Sequence, residues 1–136
     1  METSNDKFKI LITGGSGQIG SHLKDIYSKK GKIYFFPNSK ELNLKDVKSI
    51  KGFYNDICPD LIINLGAYTN VDGAEENKEQ AYLVNCEGVK NLADLASDNK
   101  IPLVHFSTDY VFGSNDGPLK EESITNPINY YGFTKE

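Results

Sequence analysis

The chain has 136 residues and a formal net charge of −4, with 38% hydrophobic and 25% charged residues. That is enough for one soluble-type domain; the absence of any basic run beyond Lys29-Lys30 speaks against a nucleic-acid surface. No apolar run approaches the roughly 18 residues of a membrane span, and Met1 to Lys7 is polar, without a signal peptide's apolar stretch. The expectation is therefore a cytoplasmic protein with a short flexible start (residues 1–7), no membrane and no nucleic-acid partner.

All 15 basic residues are lysines. Any phosphate must be held by lysine, hydroxyls, backbone N–H groups or a helix terminus, not by a guanidinium. Cys58 and Cys86 are too few and too far apart for a zinc site or a CxxC redox motif. They read as small packing residues, and no metal site is expected. His105 lies in an apolar run and reads as a structural strand residue.

In chain order, Phe8–Thr13 (FKILIT) reads as a strand buried on both faces. A glycine-rich turn spans Gly14 to Gly20. A helix follows from Gln18 to about Lys30, with Ile19, Leu23, Ile26 and Tyr27 at helical spacing and Gly31 at its end. Lys32–Phe36 is a second strand, stopped by Pro37. A helix from Asp46 to about Asn55 presents Val47, Ile50 and Tyr54, and Asp60–Leu65 is a third strand. After a polar loop from Gly66 to Asp72 comes a long helix from about Asn77 to Asp98. Its stripe is Ala81, Val84, Gly88, Leu92 and Leu95. Ile101–Ser107 is the fourth strand. A loop from Gly113 to Pro127 leads to a helix beginning near Asn129.

Four buried strands alternating with helices predict an α/β fold: a doubly wound parallel sheet of Rossmann type, ordered 3-2-1-4. No internal domain boundary is visible, so residues 8–136 form one nucleotide-binding domain.

The turn Gly14-Gly15-Ser16-Gly17-Gln18-Ile19-Gly20 holds glycines at GxxGxxG spacing. Gly14 lets the chain leave the strand tightly. Gly17 removes a Cβ where a pyrophosphate approaches, and Gly20 lets the helix pack close. The helix N-terminus adds free N–H groups and partial positive charge. A strand–turn–helix setting is what gives the pattern its meaning. The second strand ends Phe36-Pro37-Asn38-Ser39-Lys40, without the acid that usually meets the adenosine ribose. Ser39 and Lys40 could instead meet a 2′-phosphate, which favours NADPH over NADH.

Tyr131 and Lys135 stand four residues apart and share a helix face. A phenol is a poor acid–base group at neutral pH, and a nearby ammonium makes it a better one. Tyr131 can then protonate a carbonyl oxygen as hydride arrives from a nicotinamide, while Lys135 bonds the nicotinamide ribose. Tyr130 has Thr134 at that spacing and does not qualify. Ser107-Thr108 closes strand four, where a hydroxyl can polarise the same carbonyl.

Three segments carry a family resemblance. Asn64 to Glu75 (NLGAYTNVDGAE) resembles the NAAAYTxVDxAE stretch of the dTDP-4-dehydrorhamnose reductases, within the extended short-chain dehydrogenases. Ser107 to Phe112 is similar to their STDYVF signature, and Asn126 to Lys135 to their xPLNxYGxTK segment. The resemblance implies reduction of a 4-keto-6-deoxyhexose on a nucleotide, giving dTDP-L-rhamnose. It also implies roles by position. Thr108, Tyr131 and Lys135 are the catalytic group, and Thr108 and Asp109 touch the sugar. Gly17, Gln18 and Ile19 line the pyrophosphate, and Gly14, Ser16 and Gly20 belong to the same cofactor-binding turn. Asn43 and Leu44 sit near adenine, where the family often has aspartate, and Ala67, Tyr68 and Thr69 run along the cofactor. Family members are about twice as long, so the expectation is a fragment cut inside the catalytic helix, lacking the C-terminal substrate domain and inactive alone. Tyr131 and Lys135 would lie near a frayed end, and strand four would form an edge or be covered by a partner, with a homodimer open. Two alternatives remain: a related nucleotide-sugar epimerase, and a silent NADP-binding subunit similar to the regulatory subunit of methionine adenosyltransferase.

Overall fold

The computed structural model describes residues 7–27, 32–113 and 117–136. The expected flexible start at residues 1–6, the expected end of the first helix at 28–31 and loop residues 114–116 lie outside them.

Four parallel strands form one sheet: β1 (Lys9–Thr13), β2 (Ile33–Phe35), β3 (Leu61–Asn64) and β4 (Leu103–His105), in the order β2-β1-β3-β4. The helices are α1 (Gln18–Tyr27), α2 (Val47–Ile57), α3 (Val71–Glu76), α4 (Lys78–Tyr82), α5 (Gly88–Asn99) and α6 (Tyr130–Lys135). The Rossmann-type parallel sheet stands, but the expected order 3-2-1-4 does not: β3 pairs with β1, not β2. The segment from Asn38 to Asp46 is the reason. It turns instead of extending, because the Asn38 and Asn43 side chains accept from backbone N–H groups two and three residues on. The chain then crosses back over β1 through α2 to β3, and a right-handed crossover in that direction puts α2 on the sheet face opposite α1. The sheet's reversal point therefore falls between β1 and β3, where nucleotide ligands bind in such sheets.

β1 is buried along most of its length, with Leu11 and Ile12 each 1% exposed. β2 and β4 are not buried throughout, contrary to expectation; each is an outer strand of the described sheet, and Val104 is 44% exposed. One apolar cluster fills one face of the sheet, while Ile10 and Ile12 are buried on the other. Leu11 and Ile62 of the sheet meet Ile50 of α2 and Leu92, Leu95 and Ala96 of α5, with Leu42 and Leu44 of the turning segment closing the end. Burying such side chains is worth about 1.5–3 kcal/mol each. Cys58, expected inside, is exposed: it caps α2 in the left-handed region at φ 46.

The expected long helix is interrupted. Asn77 separates α3 from α4, and Leu83–Glu87 forms a π-helical turn before α5, with the Gly88 N–H donating to Leu83 O. The polar loop is shorter than expected, since α3 starts at Val71 under an Asn70 cap whose side chain accepts from Gly73 N–H.

Candidate functional site

A cleft of about 730 Å³ opens at the carboxyl ends of β1 and β3, within the range of small-molecule sites. Its lining contains Gly14, Ser16, Gly17, Gln18, Ile19 and Gly20 from the turn, Asn43 and Leu44 from the turning segment, and Ala67, Tyr68 and Thr69 after β3. Of the expected cofactor-contacting residues, Lys40 does not line it, although Ser39 does. Lys40 is exposed, its N–H donating to Asn38 Oδ1 at 2.9 Å. Tyr131 and Lys135 lie outside the lining too, on α6.

The glycine turn is built as its spacing requires. Gly14 sits at φ +69, and a Cβ there would come within 2.7–2.9 Å of the Leu65–Gly66 backbone. A Cβ at Gly20 would collide with Gly14 O and stand 2.8 Å from Gly15 Cα. Gly20 thus lets α1 close on the turn itself. The first turn of α1 carries no acid, so nothing there repels an anion.

Sequence reasoning missed Thr13, Lys45 and Gln80 in the lining. The Lys45 ammonium donates to Gln80 Oε1 at 2.8 Å, linking the turning segment to α4. Asn43 Oδ1 accepts from Lys45 N–H at 3.1 Å. An aspartate could make the same turn, so asparagine here changes the charge and not the local shape.

Asn85 was also missed. It is 3% exposed in the middle of the π-helical turn. Its Oδ1 accepts from Tyr68 N–H at 2.8 Å, and its Nδ2 donates to Tyr68 O and to Thr134 Oγ1 at 3.1 and 2.9 Å. One side chain therefore ties the loop after β3 to α6. A polar residue inside an apolar helical stripe was the available signal, and π-helical turns are frequent at functional sites.

α6 is not frayed, contrary to expectation. The Tyr130 N–H donates to Glu75, the Gly132 N–H to the Asn129 cap, Cys86 Sγ to Thr134 O and Ser107 Oγ to Lys135 O. A Cβ at Gly132 would stand 2.5 Å from Tyr110 O, which explains the glycine after Tyr131. Lys135 is only 9% exposed. Its Nζ donates to Phe106 O at 2.6 Å and faces His105 Nε2 at 3.3 Å. Burial pushes its pKa below the ordinary 10.5.

Thr108 caps the 3₁₀ turn Asp109–Phe112, accepting from Tyr110 N–H at 3.3 Å, and its hydroxyl donates to Asp109 Oδ1 at 3.2 Å. The ring of Tyr131 meets Tyr110 edge-on at 5.7 Å. So the Asp109–Phe112 turn, capped by Thr108, packs against the helix that carries Tyr131, outside the lining of the cleft. Ser107 is spent on the α6 backbone.

The family described as the RmlD substrate binding domain matches residues 8–136. The chain belongs to this family. A dTDP-4-dehydrorhamnose reductase of Mycolicibacterium smegmatis is 38% identical over 129 residues, covering 93% of this chain and 39% of the relative. Among solved structures, the Clostridium acetobutylicum dTDP-4-dehydrorhamnose reductase superposes with a TM-score of 0.89 at 37% identity, over 94% of this chain and 46% of that one. The Bacillus anthracis enzyme, solved in complex with NADP, gives 0.90 at 32% identity, over 98% and 48%. The chain thus spans less than half the length of these relatives. Among the described residues, no helix is long and apolar enough to cross a membrane.

Proposed function

We propose that this chain is the cofactor-binding half of an NADPH-dependent dTDP-4-dehydrorhamnose reductase, the remaining half supplying most of the sugar pocket. The observation that carries the reading is the cleft at the β1–β3 reversal point, walled by a glycine turn and flanked by the Tyr131–Lys135 helix. The backbone amides opening α1 hold the pyrophosphate through Gly17, Gln18 and Ile19. Asn43 and Leu44 take the adenine end, and Ala67, Tyr68 and Thr69 run beside the middle of the dinucleotide. Either Lys40 or Lys45 serves a 2′-phosphate, the chain having no arginine for it. NADH is the weaker ligand on this reading.

A bound nicotinamide supplies hydride to the sugar's C4 carbonyl. The Thr108 hydroxyl donates a hydrogen bond to that carbonyl oxygen, and the Tyr131 phenol delivers the proton that makes it an alcohol. Lys135 anchors the ribose next to Tyr131, and Asp109 meets the sugar. Thr108 suits the polarising role better than Ser107, whose hydroxyl already serves the α6 backbone. The site lies in the cytoplasm, where nucleotide sugars are made, and a second copy of the full-length protein is an admissible partner.

The test is turnover by the full-length polypeptide that carries this chain. NADPH should be oxidised when dTDP-4-dehydrorhamnose is added, and Tyr131→Phe should lower kcat by at least about 10²-fold. Undiminished turnover by that variant would remove Tyr131 from its role.

A further inference from the structure

Lys45 sets the orientation of two side-chain amides in the cleft lining. Its backbone N–H donates to Asn43 Oδ1 at 3.1 Å, and its ammonium donates to Gln80 Oε1 at 2.8 Å. Both lysine groups can only donate, so each amide turns its oxygen to the lysine and its NH₂ elsewhere. Asn43 is pinned further: its N–H donates to Ser49 Oγ at 3.0 Å, and its carbonyl accepts from Asp46 N–H at 3.0 Å. The polar atom that remains on Asn43 is Nδ2. Among the described residues neither Asn43 Nδ2 nor Gln80 Nε2 meets an acceptor. Asn43 and Gln80 line the cleft together with the apolar Leu42, Leu44 and Val84. A flat base there finds apolar surface for its faces and amide donors for its edge.

Purine edges differ in what they offer such donors. Adenine presents an acceptor, N7, beside a donor, its 6-amino group. A 6-oxopurine presents two neighbouring acceptors, N7 and O6. An amide NH₂ set against a 6-amino group is donor against donor; set against O6 it makes a hydrogen bond. We propose that the base end of the cleft is a donor wall that recognises a purine through acceptor atoms and favours a 6-oxopurine over adenine. Asn43 is its specificity-determining residue, and Lys45 is the positioning residue that holds Asn43 and Gln80. An aspartate in the same turn would accept from the Lys45 N–H with one oxygen and offer the other to a 6-amino group. The exchange of one acid for its amide therefore reverses the preference. NADPH still binds, but its 6-amino group gains nothing at Asn43. The inference rests on the reading that the cleft holds a nicotinamide dinucleotide.

Calorimetric titration of the full-length polypeptide that carries this chain tests it, with NADPH set against its deamino analogue, in which hypoxanthine replaces adenine. The analogue should bind about three- to tenfold more tightly, the size of one hydrogen bond gained. Asn43→Asp should invert that ratio. The ratio is the readout, since the added negative charge weakens both anionic ligands alike. NADPH bound as tightly as the analogue, or more tightly, by the wild type overturns the proposal, and so does a ratio that Asn43→Asp leaves unchanged. If the aspartate variant does not fold, the wild-type ratio decides by itself. Tighter binding of NADPH strikes this proposal and leaves the cofactor reading standing; binding of neither ligand removes both.

Discussion

Asn85 shows most plainly how a single side chain can shape this site from outside it. Its three hydrogen bonds go to Tyr68 N–H, Tyr68 O and Thr134 Oγ1. Asn85→Ala removes the partner of Tyr68 N–H and of Tyr68 O, while Thr134 Oγ1 keeps its bond to Tyr131 O; the unpaired Tyr68 backbone costs about 1–3 kcal/mol. Urea denaturation should show the unfolding free energy falling by that amount through a lower midpoint, with the slope unchanged. Asn85→Asp keeps the acceptor for Tyr68 N–H but turns an oxygen to Tyr68 O, so it should be no milder. A pH effect belongs at the same scale. A ring charge on His105 costs more in the fold than in the unfolded chain, since its folded value lies below 6.5. That penalty is complete below the folded value and gone above 6.5, so stability rises with pH through that window. Lys135 has the same sign in its own window, the penalty being relieved as pH climbs towards 10.5. Acidifying from neutral to about pH 5 should therefore lower the wild-type melting midpoint more than that of His105→Gln. Equal slopes would mean the ring titrates freely. Neither Asn85 nor His105 was assignable from sequence. Each sits in an apolar pattern that marks it as inward-facing, but its partners lie 17 or more residues away, and periodicity gives a face and not a partner.

At the scale of elements, local signals served well where one residue type has one physical reason to be there. The glycine turn is an example: Gly14 occupies positive φ, and Gly20 admits no Cβ. Gly20→Ala should open α1 from the turn and, on the reading proposed here, weaken dinucleotide binding at least about tenfold, measured by titration; unaltered affinity would show that the turn can relax. Gly132 was a less legible case. Its role is the contact with Tyr110 O, which depends on how α6 meets the 3₁₀ turn after β4. The π-helical turn was not legible either, because Leu83 to Asn99 keeps an almost regular helical stripe. The strand order failed for a related reason. Alternating strands and helices imply parallel crossovers, yet the side on which each crossover returns depends on whether residues 38–46 extend or turn. Here the asparagine side chains make them turn.

For the whole molecule, the corrected order has a functional consequence, because it places the reversal point between the glycine turn and the loop after β3. Both walls of the cleft are then built from segments that the sequence already marked. The catalytic candidates lie outside its lining, after β4 and on α6, and the polar row Thr13–Asn64–His105, in register across β1, β3 and β4, joins the two regions. Phe106, just after β4, and Ile128 and Phe133, near and on α6, are exposed at 54%, 71% and 52%. The relatives are more than twice as long, which fits the proposal that a second half adds the sugar pocket. Cofactor binding should need only the half described here. The most direct measurement is calorimetric titration of the chain with NADPH and with NADH. Saturable one-to-one binding of NADPH, weaker binding of NADH and loss of both in Gly14→Val are expected; no binding of either dinucleotide by the folded chain would overturn the assignment of the cleft to the cofactor.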